Sequence, residues 1–214
     1  MHGFSRFDYG KLRVGGKTQR ERFFREFDLQ SISDQEIFSL YPSIIVGSLV
    51  NGLPEKTGIW SMPQPMLFND RLRGKVTVPT DEEVIFNLVN GMAGVMTIGS
   101  MIDKLSERHL GFVKEAVELY KKLYAPIGQS YPEYPLGLTR VNLKQHALLW
   151  KNDREDILFL WATGDPVFKI ENAARYRRIF PVKADCIVEN DKITLGANIC
   201  ARIFAYRKQS TENK

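Results

Sequence analysis

The stretch Thr80-Asp81-Glu82-Glu83-Val84-Ile85-Phe86-Asn87-Leu88-Val89-Asn90 decides the fold class. Thr80 is a good helix N-cap, and Glu83 stands three residues later, so the two complete a capping box. Asp81 and Glu82 favour the positive end of the helix dipole. Val84, Ile85, Leu88, Val89 and Met92 then recur at helical spacing and predict one buried stripe. On either side lie short β-like runs: Thr57 to Ser61 before the helix and Val95 to Ile98 after it. Between Met62 and Pro79 runs a loop rich in Pro, Asn, Asp and Gly, long enough to be an insertion or a functional loop.

The same alternation extends in both directions. Asp28 to Asp34 reads as a short strand. A helix is expected from about Ile37 to Val50, with Pro42 in its first part and Gly52 and Pro54 beyond its end. Downstream, Ser106 caps the longest expected helix, running to about Tyr124, with Leu110, Val113, Val117, Tyr120 and Tyr124 on one face and Pro126 and Gly128 ending it. Strand, helix, strand, helix, strand, helix implies parallel strands joined by helical crossovers.

After Pro135 the period changes. His146 to Lys151, Ile157 to Thr163, Val167 to Glu171, Asp185 to Glu189, Lys192 to Gly196 and Ile199 to Arg207 read as strands, with tight turns at Asn152-Asp153 and Asn190-Asp191. In the last strand Ile199, Ala201, Ile203 and Ala205 share one side, while Arg202 breaks the other. The fold class is therefore α/β followed by a small antiparallel β domain. The expected boundaries are 1–130 for the α/β part, 136–208 for the β domain and 209–214 for a disordered tail.

Composition narrows the function classes. An apolar fraction of 43% over 214 residues fits a folded chain of one large or two small domains. No run approaches the ~20 apolar residues of a membrane span, and the longest, Ser43 to Leu53, is broken by Gly47, Ser48 and Asn51. The start lacks a charged-then-apolar signal pattern, so the expectation is a cytoplasmic protein without a membrane partner. Cys186 and Cys200 have no CxxC spacing and sit in strand-like segments, which predicts small buried residues. His2, His109 and His146 are scattered, and no metal site is expected. Of the net charge of +5, much lies in Lys11, Arg13, Lys17, Arg20, Arg22 and Arg25, opposed between them only by Glu21. Such a cluster can meet phosphate, but no nucleic-acid motif accompanies it. The expectation is a solvated helix or loop face and no nucleic-acid partner.

Two residues stand where chemistry is found in βα units, at strand C-terminal ends. Asp34 closes one strand and precedes a helix; Trp60 is near the end of the next. A carboxylate beside an indole suits carbohydrate, because the ring stacks on a sugar face while the acid works on the glycosidic oxygen. Each also has a bland reading: Asp34 as a helix N-cap and Trp60 as core.

The order of motifs sharpens this. Ser31-Ile-Ser-Asp-Gln-Glu, then Leu40-Tyr-Pro-Ser-Ile, then Leu53-Pro-Glu-Lys-Thr-Gly-Ile-Trp-Ser-Met-Pro resembles the α-galactosidases of glycoside hydrolase family 36. Those enzymes carry an S-D-Q or S-D-N element, a Y-P-S-type helix start and an L-P-E-Q…W-S-Y-P stretch in that order. The resemblance continues through Thr80 to Asn90, Ile102-Asp-Lys-Leu-Ser-Glu and Val113-Lys-Glu-Ala-Val-Glu-Leu-Tyr. At the front, Arg6-Phe-Asp-Tyr-Gly is similar to the end of the family's C-x-S-G-G-x-R-x-D-x-G element. The last seventy or so residues match only loosely, as the family's C-terminal β domain.

The resemblance implies the C-terminal part of a (β/α)8 TIM barrel followed by an antiparallel β domain. It implies retaining hydrolysis of terminal α-galactosides of the galactose, melibiose and raffinose type, without a cofactor. It makes Asp34 the general acid/base and places Arg6, Ser31 and Trp60 against the sugar. The family's nucleophile is an aspartate in a K-W-D-type motif upstream of the Arg6 region, and no such motif occurs here. A complete barrel takes about 250 residues, so about half of one is expected, from a truncated or split gene. The segment from Arg13 to Phe27 is also longer and more basic than its counterpart, and Ile98-Gly99-Ser100 stands where the family has S-G order. The expected outcome is a chain that is inactive alone. The alternatives are a non-catalytic carbohydrate-binding module, or an interaction module that completes a barrel with itself or with a missing N-terminal half.

Overall fold

The computed structural model describes residues 80–98, 102, 105–137, 143–183 and 185–208, and the backbone alone of three short strands before them. Two of those strands, β1 (Arg13–Val14) and β2 (Lys17–Thr18), form an antiparallel hairpin inside the basic segment. The sequence reading expected a helix or loop face there and missed the pairing. The third, β3 (Gly58–Ser61), belongs to the α/β part.

Helix α1 (Asp81–Met92) has the start its sequence dictates. The Glu83 amide donates to Thr80 Oγ1 at 3.3 Å, and the Thr80 amide donates to Glu83 Oε2 at 2.6 Å. These bonds satisfy amides that have no partner within the helix. The expected stripe is buried, and so are Phe86 and Asn90. The wider burial arises because α1 is packed on several sides: β3, a second helix and the antiparallel sheet all rest on it. Strand β4 (Val95–Ile98) follows and pairs in parallel with β3, with Gly58 opposite Val95, Trp60 opposite Thr97 and Ser61 opposite Ile98. This is the βαβ connection that the alternation predicted.

Helix α2 (Glu107–Gly128) is capped by Ser106, whose Oγ accepts from the His109 amide at 3.2 Å. It runs past the expected end at Tyr124. A proline in the final turn removes only one helical bond, and the Pro126 carbonyl is met by the Ser130 hydroxyl at 2.7 Å and the Gln129 amide at 3.1 Å. Val113, Ala116, Leu123 and Ile127 are buried, while Tyr124 is 46% exposed and lies at the margin of the face it was expected to bury. One turn before it, the Tyr120 hydroxyl donates to the Gly94 carbonyl at 2.8 Å and accepts from the Met96 amide at 3.0 Å. That pair of bonds pins α2 to the start of β4.

Antiparallel strands make up the remainder: β5 (Tyr131–Glu133), β6 (Gln145–Lys151), β7 (Glu155–Thr163), β8 (Val167–Lys169), β9 (Arg177–Phe180), β10 (Cys186–Val188), β11 (Lys192–Leu195) and β12 (Ile199–Arg207). One sheet has the order β5-β6-β7-β12-β9 and another the order β10-β11-β8. The larger sheet is covered on both faces. Leu148, Trp150, Ile157, Phe159, Trp161, Ala201 and Ile203 face the helices. Their neighbours Ala147, Leu149, Leu158, Leu160, Ala162, Cys200 and Phe204 face the smaller sheet. Burial of both faces explains why Ile157 to Ala162 is a continuous apolar run rather than an alternating one. Both predicted turns are present: Asn152 Oδ1 accepts from the amides of Arg154 and Glu155, each at 2.9 Å, and the Glu189 amide donates to the Lys192 carbonyl at 2.8 Å.

The described residues are thus mostly antiparallel sheet with two helices. The partial (β/α)8 TIM barrel expected from the sequence is not evident among them: the parallel component consists of β3 and β4. Strands β5 and β9 were missed. Both are sheet edges, where a Pro132 or a pair of arginines, Arg177 and Arg178, is tolerated because only one side of the strand is paired.

Candidate functional site

In a parallel βαβ unit each helix begins on the side where the preceding strand ends. The C-terminal ends of β3 and β4, with Trp60 beside Thr97 and Ser61 beside Ile98, therefore share a side with the starts of α1 and α2. This is the side where βα folds carry their chemistry. Trp60 is placed there by its backbone. Asp34, Arg6 and Ser31 lie outside the described residues, as does the whole Met62 to Pro79 loop.

The described polar groups on this side form a compact cluster. Asp81 Oδ1 lies 3.2 Å from His109 Nε2, and Asp81 Oδ2 pairs with Arg108. Glu82 takes Arg202 of β12 in a two-pronged bond, Oε2 from Nη1 and Oε1 from Nη2, both at 2.7 Å. Arg202 is 1% exposed. Burial opposes its charge, but the Glu82 hydrogen bonds and negative charge outweigh that and hold the guanidinium pKa above its ordinary value. Glu83 is committed to the N-cap. Each of the three carboxylates is thus engaged in holding structure, and none of them is a free acid or base.

Other ionisable groups are also spoken for. Asp156, 1% exposed, pairs with Lys208 at 2.9 Å and Arg175 at 3.4 Å. The Arg175 guanidinium lies 5.1 Å and 4.9 Å from the ring centres of Tyr176 and Tyr206, within cation–π range. Burial lowers the His146 imidazole to about 4, opposed by a hydrogen bond from the ring to the Leu143 backbone, so it is neutral at pH 7. Cys200 is buried and its thiol is pushed up to about 11 by that burial. Cys186 was expected to be buried but is only partly so, and its Sγ accepts from Arg178 Nη1 at 3.0 Å. Among the described residues, no three His, Cys, Asp or Glu side chains come together in a way that could hold a metal ion. No described helix is long and apolar enough to cross a membrane.

Sequence reasoning noticed Arg202 as a flaw in strand alternation and missed its role. A bond to a residue 120 positions away leaves no local signal.

No protein-family model and no curated protein matches the sequence. Solved structures do. The galactosidase domain of the α-galactosidase–sucrose kinase AgaSK superposes with a TM-score of 0.55 at 14% identity, over 83% of this chain and 25% of that one. The glycoside hydrolase family 36 α-galactosidase AgaB from Geobacillus stearothermophilus gives 0.56 at 12% identity, over 82% and 25%. A variant of AgaA from the same organism, in complex with raffinose, gives 0.54 at 13% identity over the same shares. The chain spans about a quarter of the length of these structures. At such identities the likeness is one of fold, and it is to the glycoside hydrolase family 36 α-galactosidases that the fold of this chain is similar.

Proposed function

We propose that the chain is the C-terminal portion of an α-galactosidase-like glycoside hydrolase, with residues 1–130 carrying the acid/base end of a barrel and 136–208 its β domain. The observation that carries this reading is a coincidence of two signals. The ordered motifs from Arg6 to Tyr120 resemble family 36, and 83% of the chain superposes on a galactosidase domain. Asp34 then serves as acid/base: protonated, it assists departure of the aglycone; ionised, it activates the water that follows. Trp60 stacks on the sugar, and Arg6 and Ser31 hold its hydroxyls. The ligands are terminal α-galactosides, a class to which the raffinose and stachyose bound by the solved neighbours belong.

A retaining mechanism needs a second carboxylate as nucleophile. The K-W-D-type motif that supplies it in the family is absent from this sequence. The purified chain is therefore expected to leave a chromogenic α-galactoside at the rate of buffer alone. Turnover that disappears in Asp34→Asn would overturn the claim of inactivity and require a nucleophile among the 214 residues. The alternative is a module that completes a barrel with another chain, and co-purification of the chain with a partner or as an oligomer tests it.

A further inference from the structure

The first turn of α1 carries three consecutive carboxylates, and each is taken by a different part of the fold. Asp81 goes to α2 through Arg108 and His109, Glu82 to β12 through Arg202, and Glu83 to its own N-cap. Consecutive helical residues point in directions about 100° apart, so one turn can engage neighbours on several sides. The Glu82–Arg202 member is unequal in its surroundings. The Arg202 side chain is 1% exposed and the Glu82 side chain 34%. In addition, Arg202 Nε is buried with no hydrogen-bond partner among the described residues. A buried charge of this kind is tolerated only while its counter-charge is in place.

We propose that the Glu82–Arg202 pair is a conformational latch, reached from the Glu82 side, that makes the α1–α2 pair and the five-stranded sheet open as one cooperative unit. Trp161 Nε1 and Trp150 Nε1 tie the C-terminal end of α1 to the sheet through Asn90 and Ala93, and the two-pronged bond fixes where α1 starts relative to β12.

Native-state hydrogen exchange on the full chain tests this, read separately for peptides of α1, α2 and β6–β7–β12. Glu82→Gln removes the counter-charge and leaves Arg202 buried. Opening of all three peptide groups is expected to rise together by about 100-fold or more. Glu82→Asp keeps the charge but shortens the reach, and gives the same joint change at roughly tenfold, which covers the case where Glu82→Gln does not fold. The double variant Glu82→Leu, Arg202→Met restores most of the protection, because no charge is then stranded. Increased exchange confined to the first turn of α1, or to the sheet with the helices unchanged, would overturn the latch, as would a double variant no better protected than Glu82→Asp.

Discussion

Trp161→Ala is expected to lower the unfolding free energy by about 3–5 kcal/mol, the range for deleting a large buried aromatic. The indole is wholly buried in the face of the sheet that meets the helices, 5.9 Å from the Phe159 ring. Its Nε1 donates to Asn90 Oδ1 at 2.8 Å, and Asn90 is itself 2% exposed. Truncation therefore opens a cavity and strands a buried acceptor on α1. Trp161→Phe keeps most of the volume and loses the bond, so its cost is set by the stranded acceptor, about 1–3 kcal/mol. Against a typical stability of about 5–15 kcal/mol, the alanine variant removes a large share. Urea unfolding at unchanged m-value reads the difference. A loss below about 1 kcal/mol for Trp161→Ala would mean that α1 does not rest on the sheet through this indole.

The second large effect is acid sensitivity through His146. It lies in β6 opposite Trp161, wholly buried, and its pKa falls from 6.5 to about 4. The sign follows from proton uptake. Between pH 6.5 and 4 the unfolded chain protonates this imidazole while the folded chain does not, so stability falls as pH falls. The contribution is fully present above the unfolded value and fully lost below the folded one. At about 1.4 kcal/mol per pH unit across that window, the loss is about 3 kcal/mol at pH 4. Carboxylates lose protection over an overlapping range, so the informative quantity is the difference between wild type and His146→Gln. Unfolding curves measured in steps from pH 7 to pH 4 should converge as pH falls. Parallel curves would show that the imidazole is not held neutral by its site.

Much of the fold was legible because its signals are local. Thr80-Asp-Glu-Glu followed by apolar residues at helical spacing yields α1 with its capping box intact. Asn152 and Asn190-Asp191 mark turns by their own side-chain and backbone chemistry. What escaped was decided at a distance. The strands β5 and β9 have unremarkable sequences, Tyr-Pro-Glu and Arg-Arg-Ile-Phe, and exist because β6 and β12 offer edges to pair with. Arg202 reads locally as an interruption, yet it is the partner of Glu82. The candidate site residues Arg6, Ser31, Asp34 and Trp60 came from motif order, and the first three lie outside the described residues. Of these the described structure positions Trp60, through its register with Thr97. The expected barrel rested on the same resemblance and on alternation; it is not evident among the described residues, whose parallel component is the β3–β4 pair.

The central claim is that this chain recognises α-galactosides through Asp34 and Trp60 as part of an α-galactosidase-like site. Calorimetric titration of the purified chain with raffinose, with sucrose as the control lacking the galactosyl unit, tests it most directly. The account predicts heat of binding with raffinose and not with sucrose, lost in Trp60→Ala. Absence of heat at millimolar raffinose, or equal heats for the two sugars, would contradict it.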